Sequence, residues 1–278
     1  MNLYQKLMKR IECLNYSVCN RTLSCGTNKD IRENIVKVRY IEFLNKGKSN
    51  RVKRQSFNCL EVTIDTDSKW FRSVYNHALD IEKKLNLSQA NTSEVRNSEI
   101  VRADNLSGLI AEYACVAVLK AYLDVEISKP ESDSTKDQID VLIGTKNKTI
   151  EVRSSFVRNG IDFALFYTDS NGIQYFDVLG PYSNGYKPGE SLKNYYMRVL
   201  YAYDKNNFLD EIKKDEIKLY ITGGVTDEML LNKSIVTVKH LVPAGGEVKI
   251  ESDYLVVPIC NSLDFKQFLE SISDDIKK

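Results

Sequence analysis

Two carboxylates and a guanidinium stand close together in the segment DQIDVLIGTKNKTIEVRSSF, residues 137–156. Two apolar runs flank a short turn. Each carries a carboxylate that a plain strand does not need: Asp140 in the first and Glu151 in the second. Arg153 follows two residues after Glu151. Carboxylate oxygens are ligands of hard divalent cations, at about 2.0–2.6 Å. Mg2+ commonly takes one or two protein carboxylates and completes its shell with water and phosphate oxygens. A neighbouring cation offsets charge on an anionic substrate. Together these residue types can share one hard cation beside a fixed positive charge.

Strand alternation decides whether the three groups meet. Gln138, Asp140 and Leu142 share one face of the first strand, and Glu151, Arg153 and Ser155 share one face of the second. A two- or four-residue turn within GTKNK is expected to pair position 140 with 153 and 142 with 151. Ile139, Val141, Ile143, Ile150 and Val152 then line one apolar face. An odd-length register would mix the faces and bury charge. Asp140 is then expected across from Arg153 and diagonal to Glu151, with diagonal neighbours about 7–8 Å apart at the backbone. The same pattern also serves a cross-strand ion pair on a wet face, which contributes little to stability. The hairpin alone leaves both open.

The hairpin needs elements to hold it. Ahead of it, NLSGLIAEYACVAVLKAYL, residues 105–123, carries apolar residues at helical spacing, with Ser107 as the expected N-cap. A polar loop over 128–137 is expected to link the two. Further upstream, helical patterns occur at the N-terminus and at 67–86, with strands in IVKVRYIEFL and CLEVTID between them. The polar, turn-rich stretch 86–99 marks a boundary. It divides a region of residues 1–100 from a core of residues 101–278. Downstream, DFALFY, YFDVLG, IKLYITGGV and VKIESDYLVVPIC read as strands, and SLDFKQFLESI as a closing helix. TGGVTDE reads as a strand-to-helix turn capped by Thr226, and PAGGE as a turn. The class is α/β, with a central mixed sheet flanked by helices and an N-terminal mixed helical and strand region.

Totals narrow the function. The chain of 278 residues carries a net charge of +1, unevenly placed. Residues 1–60 hold 13 Lys and Arg against 4 Asp and Glu, and the remainder is acidic. The basic block includes NKGKSNRVKRQ, which suits a polyanion, although a solvated surface has the same composition. No apolar run reaches the length of a membrane span. The N-terminus lacks the pattern of a signal peptide, so a cytoplasmic protein is expected. The six cysteines form no CxxC pair and are expected to be reduced. The two histidines, His77 and His240, sit in no nucleophile signature and read as structural or surface residues.

An acidic residue on one strand, ten residues, then Glu-x-basic on the next strand resembles the PD-(D/E)xK nuclease motif. Here it stands as Ile139-Asp140 and Glu151-Val152-Arg153. The family commonly places a glutamate-bearing helix before the hairpin, and Glu112 lies in that order. Glu99 is a less well placed alternative. The resemblance covers about residues 105–180 and does not explain residues 1–100. It implies a restriction-endonuclease-like core and Mg2+-dependent hydrolysis of phosphodiesters, with Mn2+ able to substitute. It also implies Asp140, Glu151 and Glu112 as metal ligands and Arg153 as the charge-stabilising group.

The sequence departs from that pattern in two places. Ile139 stands where a proline is usual, and Arg153 stands where the family has a lysine. Arginine holds phosphate well but is a poor general base. Either the metal activates water, or another amine supplies the role, with Lys148, Lys146 and Lys120 as candidates, or the site is impaired.

For DNA contact, Lys48, Arg51, Lys53 and Arg54 come from the basic block. Arg158 lies near the hairpin, and Lys187, Lys193 and Arg198 are interleaved with tyrosines over 175–203. Most of those tyrosines read as core or strand packing. The resulting expectation is a sequence-specific type II restriction endonuclease acting on double-stranded DNA as a homodimer. A structure-directed repair, recombination or RNA nuclease of the same fold is the alternative within the enzymes. A catalytically inactive DNA-binding module is the alternative outside them.

Overall fold

The computed structural model describes residues 18–22, 36–46, 54–84, 98–130, 139–156, 167–168, 174–175, 177–183, 192–201, 205–241, 252–258 and 261–277. The protein is mixed α/β. Strands β1 (Val18–Thr22), β2 (Val36–Lys46) and β3 (Arg54–Asp65) form an antiparallel meander. In β3, Leu60, Val62 and Ile64 alternate into the core and are fully buried. The chain then turns at Asp65, whose carboxylate accepts from the Asp67 N–H at 2.8 Å. Ser68 caps helix α1 (Lys69–Lys84) by accepting from the Phe71 N–H at 3.0 Å.

Helix α2 (Ser98–Tyr122) is the central helix and packs beside α1. Its start lies nine residues before Ser107, so Ser107 is not its N-cap. The Ser107 hydroxyl instead donates back to the Asp104 carbonyl at 3.1 Å inside the helix. The polar first turns are held from outside. Arg102 donates to both Glu82 oxygens, at 3.0 and 3.1 Å, which ties α2 to α1. The boundary expected at residues 100 and 101 falls within this helix. From Leu106 to Leu119 almost every side chain is buried, as suits a helix covered all round.

Beyond α2 come β4 (Ile127–Ser128), β5 (Val141–Ile143) and β6 (Lys148–Phe156), then β7 (Tyr167–Thr168), β8 (Gln174–Tyr175) and β9 (Asp177–Ser183). Next are β10 (Tyr195–Tyr201), the one-turn helix α3 (Phe208–Glu211) and β11 (Glu216–Thr226). The chain closes with α4 (Asp227–Leu231), β12 (Thr237–Leu241), β13 (Ser252–Pro258) and α5 (Phe265–Lys277). Eight strands form one sheet in the order β1-β2-β3-β11-β10-β6-β5-β4. Only β10 and β6 run parallel, so the sheet is mixed. It joins β1 to β3, from the region expected to stand apart, directly to the later strands through β3 and β11.

One face of the sheet carries the main core. Ile150, Val152, Phe156, Tyr195, Met197, Val199, Tyr201, Ile217, Leu219 and Ile221 meet the buried side of α2, with Phe265, Phe268 and Ile272 of α5. Asp264 and Gln267 close a reciprocal capping box at the start of α5, at 2.8 and 3.1 Å. Thr226 caps α4 as its sequence indicates, accepting from the Met229 N–H at 3.2 Å. The paired glycines before it lie in β11. A Cβ on Gly224 would sit 2.0 Å from the Tyr196 carbonyl oxygen, and one on Gly223, where φ is +94°, would sit 2.3 Å from that of Leu263. Gly224 exchanges two 3.0 Å backbone hydrogen bonds with Leu263. These glycines serve close packing of backbones, which the run TGG did not reveal by itself.

Candidate functional site

The hairpin of β5 and β6 forms where expected, with the apolar face expected. Val141, Ile143, Ile150 and Val152 are buried in the core, and Ile139 is half-buried. The register differs by two residues. Val141 pairs with Ile150 and Ile143 with Lys148 around the turn Gly144–Asn147, closed by a bond from the Asn147 N–H to the Gly144 carbonyl at 3.2 Å. Gly144 and Asn147 both take positive φ, +63° and +50°, which glycine and asparagine tolerate best. A two-residue shift keeps every side chain on its face but moves Asp140 from Arg153 to the level of Glu151. Continuing that register past the end of the ladder sets Asp140 level with Glu151 rather than diagonal to it.

Strand β5 is three residues long, so its ladder stops short of Asp140. The Asp140 carboxylate takes the next donor, accepting from the Val152 N–H at 2.7 Å. Asp140 and Glu151 are 6% and 7% exposed. Arg153, on the same face as Glu151, reaches back to it with a 3.0 Å ion pair. Glu112 rises from the middle of α2 and is 9% exposed. Its partner is Lys129, which forms a close ion pair with it.

Lys129 was not among the residues singled out in the sequence. It falls in a stretch that reads as a polar loop. The short edge strand β4 pairs Ile127 with Ile143 and Ser128 with Leu142, and continuing that register brings Lys129 level with Val141, close enough for its charge to oppose the rise of the Asp140 pKa. In the structure Ile127, Ser128 and Lys129 are buried, exposed and half-buried in turn, over a strand too short to show as a period in the sequence. Of the amines considered for the missing lysine, Lys148 pairs with Asp275 at 2.9 Å, Lys146 is exposed in the turn, and Lys120 is half-buried in the last turn of α2.

Three carboxylates and two cations therefore share one largely buried region. Burial, reinforced by the Glu112 charge, lifts Asp140 to about 7, against the opposing pull of the Val152 N–H, Lys129 and Arg153. Burial also raises Glu112, with Glu151 adding to the rise and Lys129 opposing it. Cys115, one turn along α2, is pushed well upward by burial and then by Glu112 and Asp140. These couplings place the helix glutamate and the hairpin carboxylates within electrostatic reach of one another. Among the described residues, no group of three or more His, Cys, Asp or Glu side chains is placed to hold a metal ion. Asp140 and Glu151 bring carboxylate oxygens, the ligand type of a hard divalent cation, and with every group ionised the three carboxylates exceed the two cations by one negative charge.

The other expected contacts divide. Lys48, Arg51, Lys53, Arg158 and Lys187 lie outside the described residues, as do the turn PAGGE and most of DFALFY. Arg54 opens β3, paired with Lys46. Lys193 and Arg198 are each 3% exposed, so neither presents the open side chain expected for a phosphate contact. The stretch YYMRVLY is a wholly buried strand, β10, parallel to β6 with Arg198 level with Arg153. The Arg198 guanidinium donates to the Arg153 carbonyl at 3.2 Å and to the Ser155 hydroxyl. Tyr195, Tyr196 and Tyr201 are packing residues, in keeping with that reading of the tyrosines. Glu99 is exposed in the first turn of α2. His77 has a structural contact, its Nδ1 lying 3.0 Å from the Tyr113 hydroxyl. Among the described residues, no helix is long and apolar enough to cross a membrane.

No family model matches the chain, and no solved structure matches it. It is 24% identical to the uncharacterized protein MJECS01 of Methanocaldococcus jannaschii, over an alignment covering 77% of this chain and 86% of that protein.

Proposed function

We propose that the protein is a Mg2+-dependent endodeoxyribonuclease built on a restriction-endonuclease-like core, of the sequence-specific type II class. The observation that carries this reading is the pair Asp140 and Glu151. They are level across one hairpin and buried, with Arg153 on one of them and the Glu112–Lys129 pair beside them. Helix α2, then β5, then β6 delivers these groups in the order of the nuclease motif.

Asp140 and Glu151 would hold the Mg2+ ion, and Mn2+ would substitute. When bound, the metal supplies an acidified water and a clamp on the scissile phosphate. Asp140 would use its Oδ1 for the metal, because its Oδ2 is committed to the Val152 N–H. That bond fixes the carboxylate before any ligand arrives. Arg153 holds Glu151 in place and brings a permanent positive charge to the developing phosphorane. Lys129 would supply the amine that the usual lysine provides and Arg153 does not. Glu112 acts through Lys129 and not as a direct ligand. The substrate is double-stranded DNA, and two symmetric cuts call for a homodimer.

The test is incubation of the purified protein with plasmid DNA in Mg2+ and in EDTA, beside a branched duplex and an RNA. Discrete Mg2+-dependent fragments from the plasmid support the reading. Cutting confined to the branched duplex or the RNA moves the protein to the repair or RNA-directed class. Binding without cutting makes it an inactive DNA-binding module, with Arg153 as the mark of that change.

A further inference from the structure

Lys129 is held on two sides. Its Nζ pairs with Glu112 and lies 5.8 Å from the centroid of the Tyr113 ring. Glu112 and Tyr113 are consecutive residues of α2, which packs against β4, so Lys129 crosses the helix between a carboxylate and an aromatic face. The ring is itself braced from α1. The Tyr113 hydroxyl is 3.0 Å from His77 Nδ1, and the two rings meet edge to face at 5.9 Å and 74°. A tyrosine that merely filled space at this half-buried position would need neither arrangement.

We infer that Tyr113, braced by His77, is a positioning residue that sets the Lys129 ammonium against the carboxylate cluster. The inference deepens the nuclease reading and rests on it for the role given to Lys129. A lysine has four rotatable bonds and loses substantial freedom when fixed. An ion pair with Glu112 constrains the charge but not the approach of the chain. A ring face adds attraction along one direction, since the quadrupole favours a cation above the plane. The His77 contact keeps that plane from turning. Lys129 would thereby be presented toward Asp140 and away from solvent.

The experiment uses the full chain with Tyr113→Phe, Tyr113→Leu and, should the leucine variant not fold, Tyr113→Met. Each is made also in a Lys129→Met background. Two quantities are read: the rate at which an amine-acetylating reagent modifies Lys129, by mass spectrometry without DNA or metal, and the kcat and KM of DNA cleavage. Tyr113→Phe keeps the ring but gives up the hydroxyl contact to His77, so it is expected to fall between wild type and Tyr113→Leu in both. Tyr113→Leu or Met is expected to speed Lys129 acetylation several-fold and to lower kcat about tenfold with KM unchanged, the scale of one cation–π contact. Neither is expected to lower kcat further in the Lys129→Met background. Acetylation unchanged by the loss of the ring would overturn the inference, as would an equal fall in kcat without Lys129. If no nucleic acid is cut, the nuclease reading fails, while the acetylation rates still decide whether Tyr113 positions Lys129.

Discussion

The Asp140 carboxylate accepts a hydrogen bond from the Val152 N–H at 2.7 Å, one residue past Glu151 on the opposing strand. One side chain thus ends a strand ladder and, in the proposed function, would offer an oxygen to the metal. Asn at 140 keeps the acceptor and removes the charge, whereas Ala removes both. Asp140→Ala is expected to lose about 1–3 kcal/mol of stability, the cost of a buried donor left unsatisfied. Asp140→Asn is expected to retain that stability. Urea denaturation of the two variants in EDTA checks this.

The same carboxylate sets a pH dependence. Its folded value of about 7 lies above its ordinary 3.8, so the folded state binds the proton more tightly. That contribution to stability is fully present below about pH 4 and is lost as pH rises through about 7. Without divalent cation, wild type should therefore lose stability relative to Asp140→Asn across that window, and the gap should be constant above it. Added Mg2+ should raise the wild-type Tm at pH 8 and leave Asp140→Asn nearly unmoved. Thermal melts from pH 4 to 8 read both effects.

Glu112 and Lys129 are partners in a region largely closed to water, with side chains 11% and 13% exposed. Removing only the cation strands a buried carboxylate. Lys129→Met is expected to cost about 3–5 kcal/mol. Lys129→Met with Glu112→Gln should recover much of that loss. Equal stability of the single and double variants would show that the pair is not coupled.

Arg153 bears on Glu151 at 3.0 Å. Arg153→Ala is expected to lower kcat about 100-fold or more, the scale for removing one group that stabilises transition-state charge. Arg153→Lys should recover most of it, because a lysine restores the charge. Single-turnover cleavage by the three proteins, with folding checked by circular dichroism, gives the comparison.

Gly224 touches the Tyr196 carbonyl where a Cβ would stand 2.0 Å away. Both partners are backbone in the middle of the sheet, so neither can move aside cheaply. Gly224→Ala is expected to destabilise by about 3 kcal/mol or more, measured by chemical denaturation.

Much of this was legible in the residues. Alternation in the hairpin fixed which side chains share a face, because burying Val141, Ile143, Ile150 and Val152 admits one parity only. It did not fix the rung. Registers two residues apart bury the same side chains, and the choice rests on turn geometry at Gly144 and Asn147. The start of α2 was hidden because Ser107 looks like a cap, while the bond holding the earlier turns, Arg102 to Glu82, spans two helices. Arg198 read as a surface cation because a buried arginine is rare, and its partners lie on a strand 43 to 45 residues away. Lys129 was missed for the same reason. Its place beside Asp140 comes from an edge strand two residues long, too short for any periodic signal.

The most direct test is cleavage of long, unmodified duplex DNA in Mg2+ by the wild-type chain beside Glu151→Gln, which keeps the size of the side chain and removes one ligand charge. Mg2+-dependent fragments from wild type, absent in EDTA and absent with Glu151→Gln at equal folded concentration, are the expected result. Intact DNA from the wild type, or equal cutting by both proteins, would contradict the assignment of this hairpin as a nuclease centre.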